Sequence, residues 1–377
     1  MSWRAIHDGL AEMHPDLHWT PPREPADEPV IDHLGDPDAE ARALHEQAAL
    51  VVSPEWAPLH IEGRDAADYL HRRLSHSIRE LTPGAGRYAL QLAGDGHFQA
   101  ELLVYRADEG FVALIDHAAR EQVFALIEQY TLMDDVSVER MWPAEAVVGL
   151  AGPAAPGILA ALLDPPATAP LLAPERFTGL MTVTLRGLPC RIFTDPRWPF
   201  PFYHLSIPGM AAARLARLLA EMCAAAGGRP AGFAALQLAR VRAGIPRQGW
   251  DLDPGVIPLE ARLEAAIDRD KGCFPGQEVI ARIANLGHPA RLLLRLRVDA
   301  DQPVSAGDAI IIDEEIAGRI TSAAGWPGLP YRLALGYVKW PHRAAPRALV
   351  QLADGTRLAA SCSIASPTRS GEDEARG

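Results

Sequence analysis

The chain is short of thiols, of lysine and of uninterrupted apolar sequence. Its 377 residues hold four cysteines, Cys190, Cys223, Cys273 and Cys362. No C-x-x-C spacing or Cys/His cluster is present, which argues against a structural zinc site and against a disulfide framework. Few, scattered thiols fit a reducing compartment. Lysine occurs only at Lys271 and Lys339, arginine supplies the other cations, and the formal net charge is −12. Such an acidic chain lacks the basic face that a broad nucleic-acid footprint needs. A local basic pocket for an anionic ligand is compatible with it.

A leader and a membrane span are also missing from the pattern. The first twenty residues carry Asp8, Glu12 and Asp16 and no basic segment followed by an apolar run, so neither a secretory signal nor a transit peptide is expected. The uncharged stretch 146–163 is long enough to raise the question of a span. Gly149, Gly152, Pro153, Pro156 and Gly157 interrupt it, and it reads as strand, turn, helix. A cytoplasmic protein with no membrane or nucleic-acid partner is the expectation.

What is present is ordinary globular sequence, 48% hydrophobic and 22% charged, long enough for two or three domains. Residues 1–40 are rich in Pro, His and acids, notably P-P-R-E-P-A-D-E-P at 21–29, and read as an arm with one short amphipathic helix at 3–13. A helix is expected over 38–50, a strand over 56–63, and a helix opening at Asp65 as N-cap, with Ala66, Tyr69, Leu70 and Leu74 on one face. Two apolar runs flank Gly94-Asp95-Gly96, a hairpin signal. A second α+β unit is read over 144–232, interrupted by a Pro-rich loop at 164–174, with a long alanine-rich helix at 210–226. Helices are expected over 233–243 and 259–267. From residue 290 short strands dominate and suggest a small β-barrel. The resulting division is an arm (1–40), a first α+β domain (41–143, completed by 233–285), a second (144–232), a barrel (286–365) and a disordered tail (366–377).

The segment richest in chemistry is D-R-D-K-G-C-F-P-G-Q-E-V-I-A-R, 268–282. Gly272 and Gly276 let the backbone turn tightly around Cys273, and Pro275 precedes a helix-forming run. Cys273 then stands just ahead of a helix N-terminus, where partial positive charge, with Arg269 and Lys271 nearby, stabilises a thiolate. The bland alternative is a small buried cysteine, and Glu278 with Arg282 at i, i+4 reads as an ordinary helix ion pair.

The run K-G-C-F-P-G-Q-E-V-I-A-R resembles the signature of YgfZ-type proteins, tetrahydrofolate-binding factors for maturing iron–sulphur enzymes and relatives of the glycine-cleavage T-protein. A-R-V-R-A-G-I-P at 239–246, D-P-G-V-I-P-L-E at 253–260, F-T-D-P-R at 193–197 and V-V-G-L-A-G-P-A-A at 147–155 resemble further blocks of that superfamily. The resemblance covers roughly 50–362. It implies an α+β, aminomethyltransferase-like fold: two ferredoxin-like α+β domains and a C-terminal β-barrel around a central cavity that holds tetrahydrofolate. It further implies that Cys273, with Lys271, is the functional group, as nucleophile, redox partner or transient iron–sulphur ligand, with no stably bound metal. Arg240, Arg242 and Arg282 become candidates for the folate glutamate tail, because guanidinium receives carboxylates in a fork. Tyr88, Glu101, Phe274, Gln277 and Glu278 complete the implied folate site. Reduced folate and iron–sulphur client or scaffold proteins are the implied partners.

Three departures stand out. Phe274 replaces the usual tyrosine. Ala100-Glu101 stands where T-proteins carry paired aspartates, and P-F-P-F at 199–202 replaces a segment that holds the pterin with a glutamate. The departures favour an accessory role in iron–sulphur maturation. A folate-dependent methyl or aminomethyl transferase, with Glu101 as its acid, is the alternative, and a ligand-free scaffold is the third.

Overall fold

The computed structural model describes residues 2–14, 16–20, 30–53, 55–142, 144–168, 172, 179–326 and 328–365. The 21–29 part of the expected arm, much of the 164–174 loop and the tail from 366 lie outside the described residues. The chain forms two compact units. One comprises 1–195, 200–236 and 266–277, and the other 196–199, 237–265 and 278–377.

The first unit holds two large sheets, besides the two-stranded pair His18–Thr20/Val30–His33. A five-stranded sheet runs in the order Gly86–Leu92, Phe98–Arg106, Phe111–Asp116, Trp56–Glu62, Ser137–Arg140, all antiparallel. Its pleat sorts side chains strictly. Ala100, Leu102 and Val104 join Tyr69, Leu70, Val123 and Ile127 of the helices Ala66–Arg73 and Arg120–Gln129. Leu103 and Tyr105, on the opposite face, pack with Trp56, Val112 and Leu114 and with Val147, Leu180 and Phe193 of the other sheet. That shared apolar layer is why the two sheets, read from sequence as separate domains, fall in one unit.

The second sheet has six strands, in the order Leu180–Leu185, Leu188–Thr194, Phe202–Pro208, Glu145–Ala151, Ala49–Val51, Arg229–Ala231, the last pair parallel. Stretch 146–163 is indeed a strand, a turn and the helix Ala155–Leu162. The helix Gly209–Ala225 buries Ala212, Leu215, Ala216, Leu219 and Cys223 against this sheet. The N-terminal segment is more than an arm. The helix Ser2–Ala11 sinks Trp3, Ile6 and Leu10 into the same core, as the strand Val30–His33 does with Ile31.

Several boundaries move for local reasons. The helix expected over 38–50 is Pro37–Glu46, with Asp36 as N-cap accepting from the Ala39 amide at 2.9 Å, and Ala49–Val51 is already strand. Asp65 precedes its helix without capping it, because its carboxylate accepts from the Asp135 amide at 2.8 Å instead. The helix expected over 259–267 shrinks to a single 3-10 turn, Glu264–Ala266, since Arg262 sits at φ +60, outside any right-handed helix.

In the second unit, six strands close into a barrel: Arg291–Val298, Arg332–Lys339, Glu315–Ala324, Ala309–Ile312, Arg347–Gln351 and Arg357–Ile364, which pairs back with the first. Alternate residues such as Leu292, Leu294 and Leu296 fill its interior. Among the described residues no helix is long and apolar enough to cross a membrane.

Candidate functional site

The hairpin Gly86–Leu92/Phe98–Arg106 carries one acid on its inter-sheet face, Glu101, paired in register with Leu90. Glu101 is 1% exposed. Tyr88 stands diagonally across, and its hydroxyl donates to Glu101 Oε2 at 3.0 Å. A carboxylate so deeply buried needs partners, since burying an unpaired charge costs several kcal/mol. Two residues earlier on the same strand, Gln99 Oε1 is shielded from solvent and has no donor among the described residues. An acceptor left so costs about 1–3 kcal/mol, which a ligand N–H would recover. Sequence reasoning did not single out Gln99, because its isolation depends on the bulge where Gln91 pairs with Ala100 and Leu92 with Phe98.

The cysteine motif packs onto the tip of this hairpin. Gly276 lies at φ +80, and a Cβ there would meet Gly96 Cα at 2.5 Å and Ala93 O at 2.7 Å, so only glycine fits. Upstream, Ser75 Oγ donates to Ala266 O at 2.6 Å and receives the Leu90 amide at 2.9 Å, while the Asp268 amide donates to Ser75 O at 2.9 Å. The Lys271 ammonium donates to the His71 and Leu74 carbonyls at the C-terminus of helix Ala66–Arg73, and the His71 ring contacts Lys271 O at 3.2 Å. Burial pushes the Lys271 amine down to about 8. Two carbonyl acceptors at the negative end of a helix hold its proton all the same. Lys271 thus caps the helix and joins the motif to it.

Cys273 is exposed, four residues ahead of helix Gln277–Leu286. Phe274 is buried with the Lys271 ammonium 5.3 Å from its ring centre. Gln277 closes the turn, its Oε1 accepting from the Phe274 amide at 3.2 Å.

The remaining predicted residues belong to the second unit. Arg240 is 2% exposed, and its guanidinium donates to Gln237 Oε1, to Ile245 O at 3.3 Å, to Asp251 Oδ2 at 2.8 Å and to Ser322 Oγ at 2.8 Å. Asp251 in turn accepts from Thr321 and from the Arg247 amide. Arg240 is thus held in a buried ion-pair network within the chain. Arg242 is exposed and donates to the Tyr331 hydroxyl at 2.9 Å. Glu278 and Arg282 are exposed on the first turns of their helix and form no ion pair with each other. Among the described residues no group of three His, Cys, Asp or Glu side chains is placed to hold a metal.

The folds and sites so arranged have relatives. The model of the GCVT N-terminal domain family matches residues 7–271, and the chain belongs to that family. An aminomethyltransferase of Streptomyces avermitilis is 29% identical over 307 residues, covering 80% of this chain and 81% of that protein. One of Geobacillus kaustophilus is 28% identical over 328 residues, covering 85% and 87%. The glycine cleavage system aminomethyltransferase T of Bartonella henselae superposes with a TM-score of 0.80 at 21% identity, over 96% of this chain and 97% of that one, and shares its fold. The relatives overturn the expectation of an accessory role in iron–sulphur maturation, because they are named as transferases. The T-protein superfamily stands, and with it the mixed α/β fold with its C-terminal barrel.

Proposed function

We propose that the chain is a tetrahydrofolate-dependent transferase of an aminomethyl-type one-carbon group, with Glu101 as its acid–base residue. The observation that carries this reading is the buried Glu101 carboxylate, oriented by the Tyr88 hydroxyl at 3.0 Å. The names of the relatives supply the group transferred. One acceptor suits the folate: a pterin edge carries N–H groups, and Gln99 Oε1 is shielded from water without a donor among the described residues.

Tetrahydrofolate, when bound, supplies the nucleophilic nitrogen that takes up the one-carbon unit. Transfer to an amine requires one proton removed at the attacking nitrogen and one returned to the departing group. Glu101 can hold that proton on a carboxylate oxygen between the two events. Tyr88 fixes the carboxylate rotamer and the lone pair presented. The apolar layer of Leu103, Tyr105 and Val112 excludes water around it. Glutamate reaches one methylene further than the aspartate of T-proteins, so the reacting group must stand correspondingly further from the strand. Cys273 has no part in this scheme.

The test is a calorimetric titration of the protein with tetrahydrofolate, followed by a transfer assay with a small aminomethyl thioether as donor. Saturable heat with folate-dependent product supports the reading. Absence of both contradicts it.

A further inference from the structure

We infer that the first unit carries a second, unassigned anion-binding groove on its outer surface, built for a small phosphorylated or polycarboxylate molecule. The groove, about 670 Å³, is lined by Arg186, Ala213, Arg214, Arg217, Leu218 and Glu221. Five of these line the outward side of helix Gly209–Ala225, whose inner residues pack on the six-stranded sheet. The sixth, Arg186, comes from the tip of the hairpin Leu180–Leu185/Leu188–Thr194.

That tip is built with care. Arg186 and Gly187 lie at φ +48 and +78, the left-handed pair of a two-residue hairpin turn whose first position ordinarily suits asparagine or glycine. Three bonds hold the arginine there. Its amide donates to Leu162 O at 3.1 Å, the Gly187 amide donates to Asp164 Oδ2 at 2.6 Å, and its guanidinium reaches Ala161 O at 3.4 Å. A long cation is therefore fixed at a position that backbone preference disfavours.

Charge is the second observation. Three arginines line the groove, opposed by Glu221 in it and by Glu12, which pairs with Arg217 at 3.2 Å. Among the described residues Arg186 and Arg214 have no carboxylate partner, in a chain whose net charge is −12. Unpaired arginines concentrated in an acidic protein attract an anion, and their planar forks match phosphate and carboxylate alike. Ala213 and Leu218 add an apolar floor for the body of the ligand, and the volume is that of a small-molecule site.

The experiment is a calorimetric titration of the full chain at constant ionic strength with two probes, inorganic pyrophosphate and citrate. Saturable binding of either, weakened about tenfold or more in Arg186→Gln/Arg214→Gln and retained in Arg347→Gln on the barrel, is the expected result. The tighter probe identifies the ligand's acidic group. Arg214→Gln alone, which removes an exposed and unpaired side chain, keeps the test valid should the double variant unfold. The inference is overturned if neither probe saturates, or if the groove variants bind as tightly as the parent.

Discussion

The Tyr88 hydroxyl donates to Glu101 Oε2 at 3.0 Å, across a diagonal of the hairpin that places both side chains on the inter-sheet face. Removing that donor leaves the carboxylate buried and less well held. Tyr88→Phe is expected to lower kcat by about tenfold with a smaller change in KM for folate. Steady-state kinetics check it. An unchanged kcat would detach Tyr88 from the chemistry.

Arg240 and Asp251 form a buried ion pair in the second unit, 3% and 0% exposed at their side chains. Arg240→Met leaves Asp251 without its cation and is expected to destabilise the protein by about 3–5 kcal/mol. Arg242→Gln, at an exposed site, is expected to change stability by less than about 0.5 kcal/mol. Denaturant unfolding of both variants distinguishes a structural arginine from an exposed one.

Thiol reactivity should divide sharply. Cys273 is exposed, whereas burial raises Cys190 far above the ordinary thiol range, Cys223 to about 12 and Cys362 to about 11. One fast-reacting thiol is expected in the native protein and four after denaturation, the fast one absent from Cys273→Ser. Stability of that variant should stay within about 0.5 kcal/mol of the parent.

Glu40 offers a pH test. It is 1% exposed, and burial raises its carboxyl to about 7 although the Leu34 and Gly232 amides donate to its two oxygens at 2.7 and 3.0 Å. The folded state binds this proton more tightly than the unfolded state. Its contribution is therefore fully present below about 4.5 and is lost as pH rises through 7. Relative to Glu40→Gln, which does not titrate, the parent should lose on the order of 2–3 kcal/mol between pH 4.5 and 7.5. Parallel stability curves for the two proteins would contradict the assignment.

Local features were legible in the sequence. The Gly94-Asp95-Gly96 turn, the strand–turn–helix at 146–163 and the helix Phe233–Ala243 depend on neighbours in the chain, and the structure places all three. Roles set by distant partners were not legible. Arg240 read as a ligand residue because Asp251 and Ser322, 11 and 82 positions away, gave no sign that they would claim it. Lys271 looked catalytic beside Cys273, yet its acceptors lie 197 and 200 positions upstream. The reverse holds for Glu101: its acidity and spacing were visible, while its burial required the fold. Function was misread because the cysteine motif, the most specific segment of the chain, outweighed the single acid.

The most direct test of Glu101 as proton carrier is single-turnover transfer by Glu101→Gln at saturating tetrahydrofolate. A fall in rate of about a hundredfold or more, with the folate dissociation constant changed by less than about threefold, is the predicted result. Transfer at the parental rate in that variant would contradict it.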